Sequence, residues 1–240
     1  MKCIFMNKSL SLAFAFAFAI TVITSSSVSA ARQSEESYKP ADGSQGYRYL
    51  LHVPKGKANE KKPLLVFLHG SGERGDKLSL VKKHGPPKIV ESKDLPFIVV
   101  SPQCPKGTGW NAKILVGLID HVAKNKPVDP DRIYLTGLSM GGFGTWVTAA
   151  AHPKKFAAIA PICGGGNIEN AKKYGKLPIW NFHGEKDPAV PVRKSRELVD
   201  AVKKAGGNVK YTEYPGVGHD SWTRTYENPK LYEWFLSHKR

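Results

Sequence analysis

Cysteine is scarce in this 240-residue chain, which contains only Cys3, Cys104 and Cys163. So few cysteines exclude a small fold held together by several disulfides. Cys104 and Cys163 each follow an apolar, strand-like run, and those two strands are not expected to be neighbours in a sheet. Because a disulfide needs Cα atoms within about 7 Å, we expect Cys104 and Cys163 to be buried, unpaired thiols.

Acidic residues are also few. The chain has 20 Asp and Glu against 36 Lys and Arg, a net charge of +16. This balance favours anionic surroundings such as acidic polysaccharide, cell wall or lipid head groups. The lysines are scattered and accompany no nucleic-acid recognition motif, so we predict no nucleic-acid partner. The alternative is a solvated, lysine-rich surface that keeps the protein soluble.

No apolar run is long enough to cross a bilayer. Residues 10–23 form an apolar run of about 14 residues, short of the roughly 20 that a spanning helix needs. Lys2 and Lys8 precede it, and small residues stand directly before Ala31. Residues 1–30 are therefore predicted to be a signal peptide, cleaved to leave a secreted or periplasmic protein without a stable membrane anchor. An uncleaved anchor is the alternative.

Metal-ligand and phosphate-binding patterns are missing too. No group of Cys, His or carboxylate residues has metal-ligand spacing, so we expect no metal. The glycine-rich stretch 69–76 lacks the Gly-Lys-Ser/Thr ending of a nucleotide-binding loop. We therefore expect no cofactor.

What the chain does contain is an alternation of strand-like and helix-like segments over residues 46–240, interpreted as one domain. Residues 31–45 are polar and aperiodic, which predicts a flexible leader. The alternation predicts an α/β fold with a mostly parallel sheet covered by helices on both faces. The predicted strands include 47–53, 64–68 and 97–100, the first as an edge strand, and the predicted helices include 114–122, 198–205 and 229–238.

The connection between the strands ending at Ile162 and starting near Ile179 is short. Only some fifteen residues separate them, three of them consecutive glycines. Many lipases insert a helical lid near this point. The chain has no room there for a large lid, so the site should be open to solvent and to bulky substrates.

A Gly-x-Ser-x-Gly pattern, Gly137 to Gly141, directly follows the strand-like residues 133–136. A serine on a sharp strand-to-helix turn projects its hydroxyl out of the backbone, and glycines leave space around it. An ordinary glycine-rich turn is the alternative for this pattern alone. Ser139 is the predicted nucleophile.

Two further residues complete the chain order Ser, Asp, His that is typical of α/β-hydrolases. Asp187 follows the strand-like residues 179–182, and His219 follows another strand-like run. His219 would act as the base and Asp187 would orient its ring. Asp220 and Asp200 compete for the acid role, but Asp220 adjoins His219 and Asp200 falls in a helical stretch. Two other histidines that precede glycine, His69 and His183, are interpreted as structural.

An oxyanion intermediate needs two N–H donors. One should be the backbone N–H of Met140, and the other that of Ser71 in the glycine-rich loop. Trp110 and Trp222 are candidates for the rim of the site, where they would stack on sugar or phenolic rings. Core or edge packing is the alternative for both.

Four segments, residues 69–75, 128–142, 183–188 and 218–222, resemble the exported single-domain α/β-hydrolases often labelled peptidases. These are related to dienelactone hydrolases, the prolyl oligopeptidase catalytic domain, phospholipase/carboxylesterases, and feruloyl and acetylxylan esterases. The resemblance covers residues 46–240 and implies the α/β-hydrolase fold with a triad of Ser139, Asp187 and His219. A prolyl oligopeptidase would also carry a propeller domain, for which this chain has no room. Ester cleavage is therefore favoured over peptide cleavage.

The sequence thus predicts a secreted serine carboxylic ester hydrolase that works through an acyl-enzyme. Its favoured substrate is an ester on an acylated, feruloylated or anionic polysaccharide. A serine peptidase and a polyester depolymerase remain alternatives. A non-catalytic carbohydrate- or wall-binding protein on a hydrolase scaffold is an alternative of a different class.

Overall fold

The structure is a computed structural model that describes residues 1, 32–57 and 60–240. The predicted signal peptide and its cleavage site at Ala31 lie outside the described residues, Met1 apart. None of the described helices is both long and apolar enough to span a membrane.

A single sheet of eight strands organises the described residues, in the order β1-β2-β4-β3-β5-β6-β7-β8. The first two strands run antiparallel to their neighbours, and all the other pairs are parallel. The strands are β1 (Ser34–Tyr38), β2 (Tyr47–His52), β3 (Lys62–Leu68), β4 (Ile98–Gln103), β5 (Val128–Leu138), β6 (Ala158–Ile162), β7 (Ile179–Gly184) and β8 (Val209–Tyr214).

The α-helices are α1 (Gly85–Ile89), α2 (Ala112–Asn125), α3 (Met140–Ala151), α4 (Arg193–Lys204), α5 (Trp222–Glu227) and α6 (Pro229–Leu236). Short 3-10 helices cover Ser71–Glu73, Leu78–Lys83, Pro153–Lys155 and Ile168–Tyr174. The three predicted helices correspond to α2, α4 and α6.

Both faces of the sheet are covered. Successive side chains of a strand point to opposite faces; in β3, Leu64 and Val66 pack in one core and Leu65 and Phe67 in the other. Residues of α2, α3 and α4 complete the first core, and residues of α5 and α6 the second. This is the α/β-hydrolase architecture that the sequence predicted.

The prediction of a flexible leader over residues 31–45 is wrong for β1, which pairs with β2 from Ser34–Leu51 to Tyr38–Tyr47. As a result β2 lies inside the sheet between β1 and β4, and it is not the predicted edge strand. Four of the five β1 residues are polar and most of the strand is exposed. Since an edge strand packs little of its surface, its sequence shows no apolar alternation.

The connection from β6 to β7 carries no lid, as predicted. Its 3-10 helix Ile168–Tyr174 is fixed to the body by buried Ala171 and Tyr174, and the Tyr174 hydroxyl donates to the Trp146 carbonyl at 3.2 Å. Cys104 and Cys163 are buried and unpaired, also as predicted. The strands that they follow, β4 and β6, are separated by β3 and β5.

Candidate active site

Ser139 stands between β5 and α3 in a strained conformation, with φ 51° and ψ −115°. A positive φ is costly for any residue other than glycine and persists only when the surroundings enforce it. A Cβ on Gly141 would collide with the Leu68 carbonyl, and one on Gly137 would collide with the carbonyl of Gly141. The turn therefore requires glycine at both flanking positions, and it projects Ser139 as the sequence predicted.

The structure joins Ser139, His219 and Asp187 in one hydrogen-bonded chain. His219 Nε2 lies 3.0 Å from Ser139 Oγ, and His219 Nδ1 lies 2.7 Å from Asp187 Oδ2. A carboxylate only accepts hydrogen bonds, so Nδ1 carries the proton and Nε2 is free to accept from the serine hydroxyl. The tautomer is the one that a general base needs.

Asp187 is held by four donors. Its Oδ1 accepts the backbone N–H groups of Ala189 and Val190, each at 2.9 Å, and its Oδ2 accepts from His219 and from His183 Nε2, the latter at 3.1 Å. Burial alone would raise the pKa of Asp187. The hydrogen bonds from His219 and from the two backbone N–H groups outweigh it and hold the pKa below its ordinary value. Asp187 is therefore an anion with a fixed orientation.

His183, interpreted from the sequence as structural, touches the candidate acid directly. Its Nε2 also lies 2.9 Å from the Val190 carbonyl, so Nε2 carries the proton and shares it between Val190 and Asp187. Its Nδ1 accepts from Ser195 Oγ at 2.7 Å. Burial lowers the pKa of His183 and keeps the ring neutral. The missed signal is the spacing of four residues between His183 and Asp187 at the end of β7.

The loop after β3 is fixed beside Ser139 by His69 and Glu73. His69 Nδ1 donates to the Gly70 carbonyl at 2.6 Å, and its Nε2 accepts the Cys104 N–H at 2.9 Å. Burial lowers the pKa of His69 to about 4, so the ring is neutral. Glu73 accepts the Gly70 N–H at 3.1 Å. These contacts agree with the structural role predicted for His69.

Ser71 and Met140 are the two predicted oxyanion donors. The position of a Cβ on Gly70, the residue before Ser71, lies 3.7 Å from Ser139 Cβ. Met140 begins α3 directly after Ser139. Within the described residues, neither the Ser71 N–H nor the Met140 N–H donates to a side chain or to a backbone group outside its own helix. Their use in catalysis remains a prediction.

Both predicted rim tryptophans lie next to the site. The Trp222 ring stands perpendicular to His219, with ring centroids 5.2 Å apart. Trp110 packs edge-on against His69 at 4.9 Å and donates to the His69 carbonyl at 3.3 Å. Each is partly exposed, so each combines packing with an accessible ring surface.

Neither of the two competing carboxylates hydrogen-bonds to His219. Asp220 accepts from the Thr223 N–H and hydroxyl, both at 3.0 Å, at the start of α5. Asp200 is exposed on α4.

Cys163 is an unforeseen neighbour of the site. It follows β6 at φ 39°, and its sulfur lies within 4.8 Å of ligand atoms of Asp187 and His219. This is the one group of three metal-type ligands in the part of the chain that the structure describes. Asp187 and His219 hydrogen-bond each other, and burial raises the pKa of Cys163 to about 12, so the thiol is protonated when no metal is bound.

Comparisons with known proteins agree with this architecture. The phospholipase/carboxylesterase family model matches residues 102–230, more than half of the chain. A solved thermostable esterase is 35% identical, with a TM-score of 0.77, over 87% of this chain and 63% of that one.

Two curated relatives are matched over part of their length. Poly(3-hydroxyalkanoate) depolymerase C of Paucimonas lemoignei is 33% identical over 48% of this chain and 30% of its own. A bifunctional acetylxylan esterase/xylanase of Neocallimastix patriciarum is 32% identical over 62% of this chain and 22% of its own. The chain thus spans less than a third of the length of these two relatives.

Proposed function

This chain belongs to the phospholipase/carboxylesterase family, and from that premise we propose that it is a secreted serine hydrolase that cleaves carboxylic esters through an acyl-enzyme. The observation that carries the proposal is the continuous chain of hydrogen bonds from Asp187 through His219 to the strained Ser139. A serine hydroxyl is too weakly nucleophilic on its own and needs this base.

In the proposed acylation, Ser139 Oγ attacks the ester carbonyl carbon while His219 Nε2 takes the hydroxyl proton. Asp187 stabilises the imidazolium that results. The carbonyl oxygen becomes an oxyanion, which the N–H groups of Met140 and Ser71 bind; each such donor is worth roughly 2.7–4 kcal/mol in the transition state. The tetrahedral intermediate then collapses, and the leaving alcohol oxygen receives the proton from His219.

Deacylation repeats these steps with water as the nucleophile. His219 takes a proton from water, the resulting hydroxide attacks the acyl carbon, and the carboxylic acid leaves as Ser139 Oγ recovers its proton. The same two N–H donors bind the second oxyanion.

Two observations support an ester on a polysaccharide as the substrate. Ser139 and His219 are partly exposed, and the β6–β7 connection carries only a short 3-10 helix, which suits a polymer. Trp222 and Trp110 offer ring surface beside His219 and the Ser71 loop, and such rings stack on sugars or phenolic acyl groups. The acetylxylan esterase/xylanase relative is consistent with this choice.

Polyester depolymerisation is the second candidate, because the depolymerase relative is as similar to this chain as the xylan esterase. It uses the same bond chemistry. A purely binding protein is not favoured, since binding gives no reason to hold Ser139 in a strained backbone conformation against a base.

A panel of acetylated xylan, feruloylated xylan, poly(3-hydroxybutyrate) and p-nitrophenyl acetate tests the proposal. Release of acetate or ferulate from xylan at a higher kcat/KM than release of hydroxybutyrate supports the polysaccharide assignment. The reverse order supports the depolymerase, and no turnover of any ester overturns ester hydrolysis. Export is tested separately, by N-terminal sequencing of the mature protein, which should begin at Ala31.

A further inference from the structure

A second concave site lies at the amino-terminal ends of the parallel strands, at the end of the sheet opposite Ser139. It is a cavity of about 460 Å³ formed where Phe156 and Ala157 lead into β6 and Leu177 and Pro178 lead into β7. Ser139 and Asp187 follow the carboxyl ends of parallel strands, so this cavity is at the other end of the same strands. At about 3.3 Å per residue, the length of β6 separates the two sites by on the order of 15 Å.

Every charged residue that lines this cavity is a cation: Lys154, Lys173, Lys176, Lys239 and Arg240. All five are exposed. Between these cations the cavity is lined by Phe156, Tyr174 and Leu177, whose apolar side chains are buried. We call these residues the basic cavity.

Three of the cations form no ion pair, although Lys239 and Asp129 interact through their charges. Lys154, Lys173 and Lys239 form no ion pair with any other described residue. Lys176 Nζ donates to the Gly206 carbonyl at 2.8 Å, which leaves its charge uncompensated. Arg240 donates to the Lys154 carbonyl at 2.6 Å and lies 3.7 Å from Asp131. Its guanidinium is therefore already hydrogen-bonded and paired with a carboxylate of the protein.

Like charges gathered around a concavity repel one another, and a polyanion relieves that repulsion. We propose that the basic cavity binds a carboxylated polysaccharide, a chain of uronate-type sugars, at a site separate from the proposed catalytic one. The inference goes beyond the proposed function and does not need the bound polymer to be hydrolysed.

The cavity favours a carboxylated sugar chain over nucleic acid and over a membrane. Its free cations are lysine ammonium groups, which are compact, strongly hydrated point charges and pair with carboxylates without a fixed geometry. Single-stranded nucleic acid also needs exposed aromatic rings for stacking, and the two aromatic residues lining the cavity, Phe156 and Tyr174, are buried. A membrane is a broad surface that cannot enter a concavity of this size, but a single sugar chain can.

Binding at the amino-terminal ends of the strands would leave Ser139, at their carboxyl ends, accessible. A protein held on an anionic polymer by the basic cavity would still present Ser139 to ester groups on the same or on neighbouring chains. Tethering of this kind raises the local substrate concentration without changing chemistry at the serine.

The test compares two triple variants with the unchanged protein. The cavity variant carries Lys154→Gln, Lys173→Gln and Lys239→Gln. The matched control carries Lys39→Gln, Lys106→Gln and Lys124→Gln, which remove the same charge from exposed positions outside the cavity. Affinity is measured for polygalacturonate, neutral xylan, vesicles containing phosphatidylserine, and single-stranded DNA, and p-nitrophenyl acetate hydrolysis is measured in parallel.

We expect polygalacturonate to bind the unchanged protein and the control within about twofold of each other, and the cavity variant roughly tenfold more weakly. Raising salt from about 50 mM to about 500 mM should weaken the binding. Hydrolysis of p-nitrophenyl acetate should be the same in all three, so a failure of ester hydrolysis would be seen separately. Equal losses in both triple variants would overturn the inference, since the attraction would then come from overall charge. Tighter binding to vesicles or DNA than to polygalacturonate would overturn it as well.

Discussion

His183 and His219 donate to the same oxygen of one carboxylate. His219 Nδ1 lies 2.7 Å and His183 Nε2 lies 3.1 Å from Asp187 Oδ2. His183 is neutral and buried, and Ser195 accordingly donates to its other nitrogen. The carboxylate that orients the proposed base is thus itself oriented by a second histidine.

Replacing His183 should impair catalysis through Asp187. With His183→Phe we expect kcat to fall on the order of tenfold or more, as for loss of a hydrogen bond to a charged group. The acid limb of the pH–rate profile should move to higher pH, because a carboxylate with one donor fewer holds the His219 proton more strongly. His183→Gln, which keeps an N–H donor, should recover part of both effects. If both variants had a lower melting temperature but an unchanged acid limb of the pH–rate profile, His183 would have only a structural role.

Asp187→Asn should cost on the order of 10⁴ in kcat, because an amide can donate to His219 and favour the wrong tautomer. Asp200→Asn is the matched control, since Asp200 is exposed on α4 and away from His219. We expect it to keep full activity with p-nitrophenyl acetate. If the Asp200 variant lost activity and the Asp187 variant kept it, the assignment of the acid would be reversed.

The sequence could predict those elements whose residue types are dictated by burial or by the local geometry of the backbone. Strand β3 is apolar from Leu64 to Leu68 because both its faces are covered there, and Gly137 and Gly141 are required by backbone contacts of the turn. The chain order of Ser139, Asp187 and His219, together with the strand-like run before each, predicts three residues that hydrogen bonds join in the structure, and their catalytic roles stay a prediction.

What the sequence could not predict depends on contacts between distant segments. Strand β1 is polar and exposed, and only its pairing with β2 makes it a strand. The contact of His183 with Asp187 depends on how the chain turns after β7, and the position of Cys163 beside His219 depends on the packing of β6 against β7. No local pattern encodes the pairing of β1 or the position of Cys163, and the spacing of His183 and Asp187 does not by itself specify their contact.

Burial of His69 should make stability fall on mild acidification. Its pKa in the folded protein is about 4, against 6.5 for an unperturbed histidine. Between those values the unfolded chain binds a proton that the folded protein does not, so the free energy of unfolding declines as pH falls from 6.5 to 4, by up to about 3 kcal/mol. His183, whose pKa is also lowered, acts in the same direction.

Urea unfolding at several pH values measures this slope. In His69→Asn, whose amide keeps a donor for the Gly70 carbonyl, the slope between pH 6.5 and 4 should be smaller than in the unchanged protein. If the substitution did not change the pH dependence of the free energy of unfolding, His69 would have the same pKa in the folded and the unfolded protein.

Because the β6–β7 connection has no lid, we expect the rate of hydrolysis to depend on the length of the acyl chain and not on whether the substrate forms droplets. Soluble butyrate esters should be hydrolysed at full rate, without a jump when the substrate forms droplets. Palmitate esters should be poor substrates, because an uncovered cleft buries little of the tail, at about 0.8 kcal/mol per buried CH₂. Rates below and above the droplet concentration provide the test. A sharp increase with palmitate preferred would reveal a cover or deep acyl tunnel.

Mass spectrometry of the intact protein, after rapid quenching of its reaction with p-nitrophenyl acetate, shows whether Ser139 forms the acyl-enzyme. We expect one acetyl group per molecule, located on the peptide containing Ser139. In Ser139→Ala, which should fold normally, the adduct should be absent and kcat lower by on the order of 10⁴-fold or more. An acetyl group on another residue, or normal turnover by Ser139→Ala, would show that Ser139 is not the nucleophile.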